Sequence, residues 1–174
     1  IFNSAAAQNV TAKELVESAD SVMFCLSKGL ASPIGSMVVG TGKFIMRARH
    51  IRKMLGGGMR QVGIVAAAGI ISLEKMTRRL GEDHVRAKKM ADGLRQVKGL
   101  EVDADSPQTN MVYLNFSEAM GINPTHVSAR MKERGVLIDA DNTQRLRLVT
   151  HYQIDAAAVE KAVAAFREVL NQIN

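Results

Sequence analysis

The sequence predicts a mixed α/β chain built in two parts, and three observations predict it. Apolar runs of strand length, such as Ser21 to Leu26 and Met111 to Phe116, alternate with stretches whose apolar residues recur every three or four positions. Helix-capping residues and glycines mark the joints between them. The order of elements also changes midway: helices dominate up to Val97, and beyond it strands and helices alternate. A domain boundary is therefore expected in the helices between Met76 and Val97, dividing the chain into 1–80 and 81–174. At 174 residues the chain is long enough for one substantial core or two small ones.

Taken in order, Thr11 reads as an N-cap, with Glu14 completing a capping box before a short helix through Ser18. The strand Ser21 to Leu26 follows, and a second covers Ser36 to Val39, ending at Gly40-Thr41-Gly42. Residues 43 to 54 form a helix through Phe44, Ile45, Ala48 and Ile51. Gly56-Gly57-Gly58 breaks it, because three glycines lose too much backbone entropy in a helix. A long helix is expected from Met59 past Leu73. Its alanine-rich stretch reads as buried, since no window reaches the roughly 18 apolar residues that a membrane helix needs. The next helix, Gly81 to Val97, is expected to turn Val85, Met90, Leu94 and Val97 to the core, and Gly99 stops it. Strands are expected at Glu101 to Ala104, Met111 to Phe116, Val136 to Ala140 and Leu146 to Thr150. Asn123 caps a helix between them, with Pro124 at its first position and Gly135 just past its end. Asp155 caps the last helix, whose Val159, Val163, Phe166, Leu170 and Ile173 form an apolar stripe.

A composition of 47% hydrophobic and 23% charged residues argues for an ordered chain. The opening Ile1-Phe2-Asn3-Ser4-Ala5-Ala6-Ala7 has no basic region followed by a long apolar one, which argues against a signal peptide. Ile1 in place of Met points to a processed or partial chain. Cys25 is the one cysteine, so an internal disulfide is excluded and a reducing, cytoplasmic location is expected. Within its apolar run it reads as a small buried hydrophobe. The net charge of +6, concentrated between Lys43 and Arg60, raises the question of nucleic acid. Only 4% of residues are aromatic, which leaves few stacking platforms, and no such partner is expected. His50, His84, His126 and His151 show no ligand spacing with one another or with Cys25, so no metal site is expected; His84 reads as a first-turn helix residue.

Lys28 stands where the apolar run Val22-Met23-Phe24-Cys25-Leu26 enters the small-residue turn Ala31-Ser32-Pro33-Ile34-Gly35-Ser36. Desolvation at the edge of a core lowers a lysine's pKa and readies its amine to attack a carbonyl. Spacing alone favours a lysine snorkelling from a strand end. Lys53 and Arg60 flank the triple glycine; exposed N–H groups and fixed cations suit a phosphate, while a solvated basic face is the alternative. Arg147 lies in an alternating stretch that sets Arg145, Arg147 and Val149 on one face and Leu146, Leu148 and Thr150 on the other. A buried strand arginine takes a carboxylate, either from a substrate or in a structural ion pair; Arg145 reads as a rim residue.

Cys25-Leu26-Ser27-Lys28-Gly29-Leu30, with Pro33-Ile34-Gly35-Ser36, closely resembles the cofactor-lysine segment of the low-specificity L-threonine aldolases. These are fold-type-I enzymes that depend on pyridoxal phosphate. Arg52-Lys53-Met54-Leu55-Gly56-Gly57-Gly58-Met59-Arg60-Gln61 and Arg147-Leu148-Val149-Thr150-His151 resemble two further segments of that family, in its order and at about its spacing. The resemblance runs through essentially the whole chain and implies the C-terminal half of such an enzyme. Residues 1–80 would end the large cofactor domain, and 81–174 would be the small α+β domain. It also implies roles: Lys28 carries pyridoxal 5'-phosphate as a Schiff base, Lys53 and Arg60 lie near a cofactor phosphate, and Arg147 binds the substrate carboxylate. The activity implied is retro-aldol cleavage of L-threonine or L-allo-threonine to glycine and acetaldehyde. The partners implied are an amino-acid substrate, the missing N-terminal half, and further copies in a homodimer or homotetramer, with no membrane.

Departures from the family are equally informative. Its Asp-Gly-Ala-Arg segment, which supplies a ring-nitrogen carboxylate and a second carboxylate-binding arginine, belongs before Ile1, as do the phosphate loop and the ring-stacking histidines. A fragment without them is expected to be inactive alone. Ala31 stands where the family more often has glycine, a change that a turn of negative φ tolerates. The rival readings are a related fold-type-I lyase acting on another β-hydroxy or β-substituted amino acid, and a catalytically silent domain that binds a partner chain.

Overall fold

The computed structural model describes residues 1–140 and 144–173. The chain divides into two compact units, Ile1–Leu80 and Gly81–Asn174.

The first unit opens with α1 (Phe2–Gln8), an alanine-containing helix that the sequence pattern does not announce, closed by Asn9 in the left-handed conformation. Thr11 and Glu14 make the reciprocal capping box of α2 (Ala12–Leu15). Strands β1 (Ser21–Cys25) and β2 (Ser36–Gly40) pair antiparallel, from Ser21 opposite Gly40 to Cys25 opposite Ser36. Thr41 caps α3 (Gly42–Met54) by accepting the Phe44 amide. Helix α4 (Gly63–Glu74) begins later than Met59, because Gln61 adopts a left-handed φ of 50° that a right-handed helix cannot contain. A short 3₁₀ turn, Met76–Arg79, follows.

The core of this unit is small: Leu26, Leu30 and Leu80, backed by Phe2, Phe24, Leu73 and Met76. Phe2 and Phe24 meet edge to face at 5.1 Å. Helix α4 is apolar on all sides, the signature of a fully covered helix, yet only its Gly69 and Ser72 are buried and Ile64 is 82% exposed. Every residue of β2 is exposed as well.

Helix α5 (Leu80–Leu94) starts on the last residue of the first unit, and the second unit carries the rest of it with β3 (Leu100–Val102), β4 (Met111–Phe116), α6 (Pro124–Glu133), β5 (Arg145–Val149) and α7 (Ala156–Ile173). Its sheet is antiparallel in the order β3–β4–β5. Along β4, Val112, Leu114 and Phe116 point into the core, against Ala87, Met90 and Leu94 of α5, Val127 and Met131 of α6, and Val159, Phe166 and Leu170 of α7. Helices thus cover one sheet face. Thr150, fully buried just past β5, donates its hydroxyl to the Asp83 carbonyl at 2.6 Å, and the Asn110 side-chain amide donates to its carbonyl.

Two expectations fail here. Val136–Ala140 pairs with no strand among the described residues, although its inner residues alternate toward the core. Two of its backbone groups are tied to α6: the Val136 amide donates to the Met131 carbonyl, closing with Gly135 N–H on the Lys132 carbonyl a Schellman turn, and the Ile138 carbonyl accepts from Ser128. Val85 is 69% exposed, because the buried side of α5 runs through Ala87, Met90, Ala91 and Leu94 instead.

Gly93 marks the closest approach of α5 to α7. A Cβ there would stand 2.9 Å from both γ-carbons of Val163. The Gly93→Ala variant gains helix propensity of up to about 1 kcal/mol but overpacks a branched side chain, which costs typically 1–3 kcal/mol. Net destabilisation is expected, read as a lower denaturant midpoint in equilibrium unfolding; a raised midpoint would show that the helices separate freely.

Candidate cofactor and substrate site

The loop between β1 and β2 positions Lys28. The Leu26 amide closes the ladder on the Gly35 carbonyl at 2.9 Å, and the chain then leaves the sheet. The Ala31 amide donates to the Lys28 carbonyl at 2.8 Å and Ser32 to Leu26 at 3.0 Å, which fixes a compact turn. Leu26 and Leu30 are buried on either side of it, so Ser27 and Lys28 are held outward between two pinned anchors. Lys28 lines a cleft of about 280 Å³ whose wall includes Phe2, Phe24, Cys25, Leu30 and Leu80. Gly29 lets the loop pass close to α1, since a Cβ there would stand 3.1 Å from the Asn3 amide nitrogen. Ala31 has a φ of +58°, so the turn is left-handed at that residue and the expected negative φ is not found. Cys25 is half-buried in the wall of this cleft, and its sulfur accepts the Ser36 hydroxyl at 3.8 Å.

Gly56, Gly57 and Gly58 end α3 rather than start the next helix. Gly56, at φ +81°, and Gly57 donate to the Lys53 and Arg52 carbonyls at 3.2 and 2.8 Å, a Schellman turn that uses both amides. The expected cradle of free glycine N–H groups at a helix N-terminus is therefore not what these residues form. Lys53 lies in the last turn of α3 and packs across Gly58, where a Cβ would meet its Cδ at 2.8 Å. Lys53 and Arg60 are both exposed, and neither lines the Lys28 cleft. No Asp or Glu occurs between Asp20 and Glu74, so the cations from Lys28 to Arg60 have no carboxylate within their own segment.

Arg147 belongs to the second unit, on the outward face of the sheet, and is exposed rather than buried. It makes no hydrogen bond or ion pair with any described residue. It contributes to a cleft of about 530 Å³ walled by Val136, Ile138, Leu148, Ile154 and Phe166, with Lys161 also present. Arg145, expected at a rim, is the more engaged arginine: it pairs with Asp103 at 2.6 Å and lies over the Tyr113 ring. Nothing in the sequence announces that trio, because only the strand register brings 103, 113 and 145 together.

Among the described residues no group of His, Cys, Asp and Glu has the arrangement of a metal site, and no helix is long and apolar enough to cross a membrane. His84, in the first turns of α5, has its pKa lowered by burial, opposed by the Asp83 carboxylate beside it. The Lys28 cleft offers an amine to an aldehyde such as that of pyridoxal phosphate. Its described walls hold no carboxylate for a pyridine nitrogen and no arginine for a phosphate. The residues present fit one end of that cofactor.

Residues 1–117 match the beta-eliminating lyase family, and the chain belongs to that family. It is 38% identical over 170 residues to low-specificity L-threonine aldolase 1 of Arabidopsis thaliana, covering 98% of this chain and 48% of that protein. It is 41% identical over 170 residues to the low specificity L-threonine aldolase of Escherichia coli K12, covering 98% of this chain and 49% of that one. The fold matches that of a protein of Exiguobacterium sp. 255-15 described as an aromatic amino acid beta-eliminating lyase/threonine aldolase. The TM-score is 0.80 at 20% identity, over 97% of this chain and 50% of the other. The chain thus spans about half the length of the curated relatives it matches, and its fold is that of about half a fold-type-I enzyme.

The left-handed Ala31 makes a direct prediction for the Lys28 loop. An L-residue with a Cβ in this conformation costs roughly 1–2 kcal/mol, while glycine returns about 0.4–1 kcal/mol through the freer unfolded chain. Ala31→Gly is expected to stabilise the protein by about 0.5–1 kcal/mol, seen as a raised thermal midpoint.

Proposed function

We propose that this chain is the C-terminal portion of a pyridoxal-phosphate-dependent, low-specificity L-threonine aldolase. The whole protein cleaves the Cα–Cβ bond of L-threonine or L-allo-threonine to glycine and acetaldehyde. Lys28 carries the reading: an exposed amine, on a loop pinned by two buried leucines at the wall of a cleft. Its neighbours belong to a sequence 38% and 41% identical to two such aldolases across nearly the whole chain.

Pyridoxal phosphate, when bound, supplies the electron-withdrawing ring that accepts the charge left at Cα as the bond breaks. This chain's residues hold and orient. Lys28 would hold the cofactor at its aldehyde end through Nζ, and the same amine, when not so engaged, would carry a proton. Arg147 offers the substrate carboxylate a planar guanidinium that has no partner among the described residues. Lys53 and Arg60 lend positive charge to a phosphate, of this subunit's cofactor or a neighbour's. The ring-nitrogen carboxylate and the groups around the β-hydroxyl belong to the remainder of the protein. That remainder, with further copies in a dimer or tetramer, also covers the exposed apolar surface of α4 and β2, which is supported by Ile64, Ile70 and Ile71 standing open.

Lys28→Ala in the full-length protein tests the reading. It is expected to lose the visible absorption band of the lysine-bound cofactor and all measurable glycine formation from L-threonine. An exposed loop lysine contributes within about 0.5 kcal/mol to stability, so the unfolding midpoint is expected to stay put. Turnover at the wild-type rate would end the assignment. Expressed alone, residues 1–174 are expected to show no turnover even with excess cofactor, because fixed-geometry catalysis collapses when positioning groups are missing. Activity comparable with the full-length enzyme would show that the site is complete in this half.

A further inference from the structure

The outward face of the β3–β4–β5 sheet carries two arginines in opposite states. Arg145 donates to Asp103 Oδ2 at 2.6 Å, and its guanidinium stands 5.2 Å from the Tyr113 ring centroid. Asn115 holds the other oxygen of Asp103 at 3.4 Å. Arg147, two residues along the same strand and on the same face, has no partner among the described residues. We infer that Arg145 is a positioning residue: by occupying Asp103 it keeps that carboxylate off Arg147, which stays open to a carboxylate from solution. The inference rests on the reading that Arg147 takes the substrate carboxylate.

The strand register supplies the reason. Tyr113 lies directly opposite Arg147, and the Asp103 amide donates to the Tyr113 carbonyl at 3.0 Å. Asp103 therefore stands level with Arg147, two strand spacings away, about 10 Å between backbones. Arg145 starts from a longer diagonal, opposite Asn115, and still reaches the carboxylate. Reach therefore does not exclude Arg147 from Asp103. What selects Arg145 is Tyr113, whose ring supports its guanidinium through a cation–π contact on the way to Asp103. Without Arg145, Asp103 keeps only the neutral Asn115 amide, and Arg147 is the other arginine on the face. A carboxylate tethered to the same sheet competes at high effective concentration with one diffusing from solution.

The test uses the full-length protein and the variants Arg145→Gln, Arg147→Gln and Arg145→Gln/Asp103→Asn, with steady-state kinetics on L-threonine and calorimetric titration with glycine. Exposed ion pairs contribute little to stability, so all three are expected to fold. Arg145→Gln is expected to raise the KM for L-threonine and the Kd for glycine together, by roughly three- to tenfold, with kcat within about twofold. Adding Asp103→Asn is expected to return both constants close to wild type, because the competing charge is gone. A KM and Kd unchanged by Arg145→Gln but raised by Arg147→Gln overturn this inference and leave the role of Arg147 standing. If Arg147→Gln changes neither constant, the carboxylate assignment falls and this inference with it. A rise that Asp103→Asn does not relieve would make Arg145 a direct substrate contact and overturn the positioning role.

Discussion

Burial of one face of a three-stranded sheet under three helices is the constraint from which the second unit follows. Val112, Leu114 and Phe116 are at most 1% exposed, and each has helix side chains above it. Strand geometry then dictates the other face: Met111, Tyr113 and Asn115 on β4, with Arg145, Arg147 and Val149 on β5, must point outward. A one-residue slip would carry the arginines into the core and the leucines into water. The placement of Arg147 is thus a consequence of packing before it is a matter of chemistry.

The first unit meets a different constraint. Three buried leucines hold it, and most of the apolar surface of α4, β2 and α3 stays open. A two-stranded ribbon is marginal by itself. Yet the local geometry around Lys28 is well determined, because Leu26 and Leu30 are anchored on both sides of a turn closed by three backbone hydrogen bonds. Order at the loop and exposure elsewhere are compatible because the anchoring is local to the turn.

Much of this was legible in the sequence where one local rule decides. The Thr11–Glu14 box, the Asn123 cap before Pro124, and the alternation of β4 all depend on neighbours within a few positions. What failed depends on competition between rules. Val136–Ala140 has strand periodicity, but the helix before it claims the Val136 amide and the Ile138 carbonyl. The triple glycine reads as the start of a helix as readily as the end of one, and only the hydrogen bonds its first two amides donate to the Lys53 and Arg52 carbonyls decide it. The Lys28 segment was readable by its wording. The Asp103–Tyr113–Arg145 trio was not, because strand register is a long-range property.

The Schellman turn also separates two cations that the sequence treats alike. Lys53 lies in the last turn of α3, where the helix dipole attracts positive charge, and its stem packs on Gly58. Its position is accounted for by the helix end alone. Arg60 lies beyond the turn, exposed, in a stretch with no carboxylate on either side until Asp20 and Glu74. No packing or capping role within the described residues explains it. Of the two, Arg60 is therefore the stronger pointer to an anion brought from outside the chain, because its charge is the one that the local fold does not use.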